Sequence, residues 1–226
     1  MIGTLANTLY VVVDRVFIGQ GVGAFALSGV ALTFPVINIL TAFSMLVSFG
    51  AASVTSIFLG SNDPRISRVL PNTLCLSVVL YAVISAFCLI FLEPMLLRFG
   101  ASPDTLPYAA QYLRIIIPGH LLTSLSFSLS NIIRAAGHPA KSMHILLFGA
   151  ALNIVLDALL IFVFHLGIQG AALATVVSMF ASTIWALTFF FDSSSPLSFA
   201  RSVFLLDWQL MLKILSIGMA PFLLQV

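Results

Sequence analysis

The sequence predicts an all-α integral membrane protein, with six apolar helices and the start of a seventh, on three observations. Only 7% of the 226 residues are charged while 61% are hydrophobic, and the mean hydropathy is +1.17. A water-soluble domain carries about 25% charge, so a soluble globule is excluded. Apolar runs close to the roughly 20 residues needed to cross a bilayer recur along the chain, separated by polar or Gly- and Pro-rich connections. Twenty Phe with few Lys or Glu fit lipid-facing helices; a membrane β-barrel would instead alternate apolar and polar residues in segments of about ten. The net charge of +2 rests on so few groups that it carries no argument for nucleic acid.

In order, segment one covers about residues 1–18 and holds Asp14 within V-V-V-D-R-V-F-I-G, and it is short for a span. It opens directly into an apolar stretch, without a basic lead-in or a cleavage site, so no signal peptide is expected. A Gly-rich connection, G-Q-G-V-G-A-F-A-L-S, leads to segment two, about 29–59, which contains Pro35, Asn38 and Gly50. Proline is tolerated in a membrane helix where neighbours satisfy the freed carbonyl. Segment three, about 69–92, follows the loop G-S-N-D-P-R-I-S-R and ends at Glu93 and Pro94. The polar connection 98–112, part of which can lie as a helix in the interface, precedes segment four, about 113–135. Segment four is the least apolar span, and its S-L-S-F-S-L-S-N suits a face turned toward protein or a cavity. The loop R-A-A-G-H-P-A-K opens segment five, about 142–164, and the tight turn H-L-G-I-Q-G opens segment six, about 170–191, whose small residues allow close helix contact. Residues 192–207 are the longest hydrophilic interval and read as a linker, and a last run, 208–226, contains Pro221.

The Lys and Arg distribution sets the expected orientation. With six spans, one side collects Arg65, Arg68, Arg134, Lys141, Arg201 and Lys213, against Arg15, Arg98 and Arg114 on the other. The basic side is expected in the cytoplasm, together with the 192–207 linker. Arg65, Arg68, Arg134 and Lys141 read as topology determinants and anionic-lipid contacts.

The chemistry concentrates in segment five. L-N-I-V-L-D-A-L-L-I-F sets Asn153 and Asp157 inside an apolar run from Ile145 to Phe164. Four residues apart on a helix, their side chains share one face. An ionisable group at that depth costs a few kcal/mol, and such groups usually mark a path for ions or substrate. The bland reading is a polar pair hydrogen-bonded between helices, but one amide would suffice for that. For Asp14 the bland reading is a local ion pair with Arg15, although adjacent helix residues point about 100° apart. No metal centre is expected, because His120, His138, His144 and His165 are scattered without ligand spacing; His120, inside segment four, is the only one of interest. Cys75 and Cys88 read as small apolar packing residues. G-Q-G-V-G-A is no nucleotide loop, since no strand precedes it.

Five stretches together resemble the amino-terminal half of the multidrug and toxic compound extrusion (MATE) family. They are L-Y-V-V-V-D-R-V-F-I-G, V-S-F-G-A-A-S-V-T-S-I-F-L-G-S-N-D-P, I-I-R-A-A-G-H-P-A-K, L-N-I-V-L-D-A-L-L-I-F and L-G-I-Q-G-A-A-L-A-T, in the family's order and spacing. The resemblance implies a six-helix lobe over residues 1–191 with a shortened first helix, a cytoplasmic inter-lobe linker over 192–207, and the start of helix seven of a second lobe over 208–226. It implies a multi-pass protein of the cytoplasmic membrane, not an enzyme, which exports organic cations or other xenobiotics in exchange for H⁺ or Na⁺. Asp14, Asn153 and Asp157 are then the cation- or proton-binding residues, with Na⁺ a candidate ligand of the three and no other cofactor. Tyr112, Asn131 and Thr175 stand at or near polar cavity positions of the family. Thr175 can instead bond its own helix, Tyr112 can anchor at the interface, and Asn131 can cap or bridge helices. Family members usually begin before this Met1 and continue through helix twelve, so a second six-helix lobe is the expected partner.

Other functions compete with this one. A lipid-linked oligosaccharide flippase of the related fold would typically carry more basic residues in its cavity, whereas here the buried charges are acidic. An intramembrane aspartyl protease would leave Asn153 idle and needs motif contexts that are absent. A non-transporting fragment is the remaining alternative.

Overall fold

A computed structural model describes residues 2–191, 197 and 206–225, with side chains from Val12 onward. The described residues form nine α-helices and no strand: α1 (Ile2–Gly21), α2 (Ala24–Leu32), α3 (Phe34–Gly60), α4 (Ile66–Ile90), α5 (Leu92–Arg98), α6 (Leu106–Ala135), α7 (Pro139–Ala158), α8 (Gly167–Thr188) and α9 (Trp208–Gln225). A single π-turn, Leu159–Val163, continues α7, and a 3₁₀ turn, Phe189–Phe191, ends α8.

Six helices among the described residues are long and apolar enough to cross a membrane: α3, α4, α6, α7 with its π-turn, α8 with its 3₁₀ turn, and α9. The sequence reading counted segment one among the six spans and only the start of a helix in α9. Helix α1 is segment one, and its 20 residues, with side chains described only from Val12 onward, pack against α7 as the first helix of the lobe.

Segment two divides where its composition allows. Pro35 occupies the second position of α3, where a missing N–H costs nothing, and the Thr33 hydroxyl donates to the Val30 carbonyl 2.7 Å away, closing α2. The Gly-rich connection is largely helical, leaving only Val22 and Gly23 between α1 and α2. Gly23 has φ 115°, a backbone state that side chains rarely adopt. The 98–112 connection is also shorter than expected. The short helix α5 lies before it, α6 starts at Leu106, and Tyr112 therefore sits inside a span.

Helix α6 is the axis of the fold, packed against α2, α3, α4, α5, α7 and α8. Helices α7 and α8 form a hairpin with α1 against α7, and α9 lies along α3. The α3–α9 crossing is backbone-close: a methyl group on Gly50 would strike the Ile214 carbonyl, and one on Gly218 the Leu46 carbonyl. Small residues permit this approach, which is how helices associate where lipid removes the hydrophobic drive. Three apolar clusters fill the interior. One joins Val54, Phe58, Leu129, Ile133, Phe190 and Ile214; a second joins Leu40, Tyr81, Leu96 and Leu113; the third joins Ile18, Val30, Tyr112, Ile161 and Ile168.

Helix α9 has a defined start. Asp207 accepts from the Leu210 N–H at 3.1 Å, an N-cap, while its own N–H donates to Asn72 Oδ1 at 2.8 Å and its carboxylate pairs with Arg68 at 3.3 Å. The basic residues gather as their distribution predicts. Arg65 and Lys213 each lie 5.0 Å from the Phe58 ring centroid, and Lys141 lies 5.1 Å from that of Phe189, whereas Arg15 lies over Phe34 where α3 begins. Arg201 and most of the 192–207 interval lie outside the described residues.

Candidate functional site

Asp14, Asn153 and Asp157 meet where α1 packs along α7. The two helices run parallel, since Asp14 faces Asp157, Phe17 forms an edge-to-face pair with Phe162 at a centroid distance of 5.5 Å, and Gly21 lies against Ile161 and Phe162. Asp14 and Asp157 sit roughly one turn before those rings, Asp14 at 9% exposure and Asp157 at 0%. The two carboxyls are close enough for the charge of one to act on the other. Arg15 does not join them: it faces the Phe34 ring at 5.9 Å. The ion pairs among the described residues are Arg65–Asp63, Arg68–Asp207 and Arg114–Glu93, so Arg15 makes no direct pair with Asp14, although its charge still reaches that carboxyl.

Asn153 lies one turn before Asp157 on the same face of α7 and is 1% exposed. Its amide NH₂ donates to Thr175 Oγ1 on α8 at 3.4 Å, and that hydroxyl donates onward to the Ala171 carbonyl at 3.2 Å. With its one proton committed to the helix, Thr175 can only accept from Asn153, which holds the amide with its oxygen unpaired. Among the described residues, Asp14 Oδ1, Asn153 Oδ1 and both Asp157 oxygens are buried without a hydrogen-bond partner. Buried acceptors are almost always satisfied, and an acceptor-only set of this kind calls for a proton or a cation. The donor set is all oxygen, which fits H⁺ or Na⁺ and does not select between them. The π-turn begins two residues after Asp157, and such turns recur beside functional groups because they break the regular helical ladder.

The other three expected residues separate. Tyr112 is buried in the apolar cluster with Ile18, Ile161 and Ile168, adjoining the site on the side of the Phe17–Phe162 pair. Thr175 touches the site directly through Asn153. Asn131 does not: it donates to Ser48 Oγ on α3 at 3.4 Å. It lies four residues before the end of α6, whereas Asn153 lies fourteen past the start of α7. Across the α6–α7 hairpin that difference is about 15 Å.

A second buried polar group, between α3, α4 and α6, had no signal in the sequence beyond His120. Tyr81 donates to the Leu40 carbonyl at 2.6 Å and pairs with Ser44. The His120 ring lies 5.8 Å from that of Tyr81, and its Nε2 has no partner among the described residues. Tyr, Ser and His scattered singly over three apolar helices give no pattern until the helices pack.

The fold and the acid–amide site together define a helical multi-pass membrane protein with an ionisable centre inside one six-helix lobe. The MatE family model matches residues 1–159, and the chain belongs to that family. The Multidrug export protein MepA of Staphylococcus aureus (strain NCTC 8325 / PS 47) is 30% identical over 227 residues, covering 100% of this chain and 50% of that protein. The MepA of Staphylococcus haemolyticus (strain JCSC1435) is 32% identical over the same share. An outward-facing multidrug resistance MATE family transporter superposes at TM-score 0.91 and 26% identity, over 100% of this chain and 50% of its own. A MOP superfamily transporter from Pyrococcus furiosus Vc1 (DSM3638), described by a reversed polarity of its binding pocket that suggests a different function, matches at TM-score 0.90 and 26% identity, over 100% of this chain and 50% of its own. The chain thus spans about half the length of the relatives it matches.

Proposed function

We propose that this chain forms the amino-terminal lobe of a multidrug efflux antiporter that exports organic cations or other xenobiotics in exchange for H⁺ or Na⁺. The observation that carries the reading is the set of buried, unpartnered oxygens on Asp14, Asn153 and Asp157. Two like charges brought together in apolar helices repel, and one positive charge between them relieves the repulsion. A coupling ion and a cationic drug therefore compete for the lobe, directly or through the helix arrangement each selects, and that competition drives alternating access. Tyr112 and Thr175 border the acids and would shape the substrate path. The resemblance to MepA proteins, named for multidrug export, supports the same reading. The second lobe is supplied by sequence equivalent to the other half of the relatives, and the basic face with the 192–207 linker lies in the cytoplasm.

The test is drug export, and ion-driven drug release from vesicles, by a two-lobed protein carrying Asp157→Asn. Export should be abolished, with the protein still inserted and still binding drug at reduced affinity. Undiminished export would reject the role of Asp157. A flippase would instead retain lipid-linked oligosaccharide transport and show no drug-driven ion flux.

A further inference from the structure

A cavity of about 320 Å³ opens between the start of α7 and the end of α8, lined by Lys141, His144, Ile145, Trp185, Thr188 and Phe189. It lies at the basic end of the fold, far along both helices from the acids. Its chemistry is divided. Lys141 Nζ sits 5.1 Å from the Phe189 ring centroid, and the His138 ring lies edge-on to the same phenyl at 5.0 Å. Trp185 packs T-shaped on Phe148 at 4.8 Å, and both are partly exposed. From Trp185 the outer face of α8 continues through Ile184, Phe180 and Val177, each 44–51% exposed, toward the bilayer centre.

We propose that this cavity binds the headgroup of an anionic phospholipid, with the phosphodiester at Lys141 and His144 and an acyl chain along Phe148, Trp185 and Phe180. Lys141 and His144 present N–H donors to a phosphate, while the Thr188 hydroxyl is committed to the Trp185 carbonyl at 2.6 Å, and the aromatic rim marks the depth at which headgroup and hydrocarbon meet. A volume of about 300 Å³ accommodates a small polar head, leaving the tail outside on the apolar strip. A free phosphate would make no use of that strip, which is why the lipid is the favoured occupant. Basic groups at this depth attract anionic headgroups, about fivefold in affinity for each. The inference concerns a site separate from the acids and does not depend on the transport reading.

Trp185 reports on the site itself. In a chain with Trp208→Phe, reconstituted into bilayers, Trp185 is the one remaining tryptophan. Its fluorescence should be quenched by brominated phosphatidylglycerol about fivefold more effectively than by brominated phosphatidylcholine. Lys141→Gln should bring that ratio close to one, and Lys141→Arg should retain it. Lys213→Gln, which removes the same charge from the Phe58 side of the basic face, should leave it intact. Equal quenching in the parent, or a preference that survives Lys141→Gln, overturns the proposal. So does a preference erased by millimolar inorganic phosphate at constant ionic strength, which would mark a free-anion site. If Lys141→Gln fails to insert, the Lys141→Arg and Lys213→Gln pair still decides, since equal losses in both would mean general surface charge.

Discussion

At the scale of single residues, the structure separates groups that the sequence displays alike. Asp14, Asn153 and Asp157 were legible because a carboxylate or amide inside an unbroken apolar run is costly and therefore conspicuous. Their mutual approach was expected only through the family resemblance, since nothing in segment one itself states which helix it will face. The Asn153–Thr175 bond joins two separately noted residues into one unit. Thr175→Val deletes the acceptor and leaves a buried NH₂ unpaired, at a cost of about 1–3 kcal/mol. Thermal unfolding in detergent should show that loss, with Thr175→Ser close to the parent. Asn131 illustrates the converse: an amide on a polar stretch of α6 that bonds α3 instead. Outside the membrane, Asp63 is held below the usual carboxylate range, first by the hydrogen bonds that the Arg65 guanidinium donates, then by the Arg65 backbone N–H. A lowered folded value means that its small contribution is present above the unfolded carboxylate pKa and fades as pH falls through the folded one. Replacing Arg65 by Gln should raise the Asp63 titration midpoint, measured by the carboxyl chemical shift.

At the scale of elements, helix positions were readable from apolar length, and their ends were misjudged where local chemistry intervenes. Segment two looked continuous, yet Pro35 and the Thr33 hydroxyl split it into α2 and α3. The Gly-rich connection looked like a loop, yet all but Val22 and Gly23 is wound into helix. Helix α9 depends on an identifiable start, because Asp207 caps its first turn and ties it to Arg68 and Asn72 on α4. Asp207→Ala should lower stability by about 1 kcal/mol for the cap, with a further fraction for the partly exposed ion pair. Limited proteolysis just before Trp208 should accelerate correspondingly, while Asp207→Asn should recover most of the cap.

At the scale of the whole molecule, the MatE fold was legible from motif order, because five stretches in register fix how six helices must follow one another. What escaped was where α9 packs: it lies along α3 through Gly50 and Gly218. Contact at that depth between helices far apart in sequence leaves no local trace beyond two glycines among fourteen. The proposed orientation has a direct check. A cysteine at Ser61, in the loop before α4, should label with an impermeant maleimide only from the cytoplasmic side, and one at Ser102, before α6, only from outside. Labelling of both from the same face would refute the alternation. The native Cys75 and Cys88 are replaced first.

The π-turn that follows Asp157 holds one more implication. A helix wound one residue wide at Leu159–Val163 carries, in effect, a spare residue of angular phase just beyond the acid. Losing that residue would turn everything after it by about 100°, carrying Ile161 and Phe162 away from Gly21 and Phe17 while leaving Asn153 and Asp157 in place. The far end of α7 can thus be re-indexed in evolution without disturbing Asn153 and Asp157.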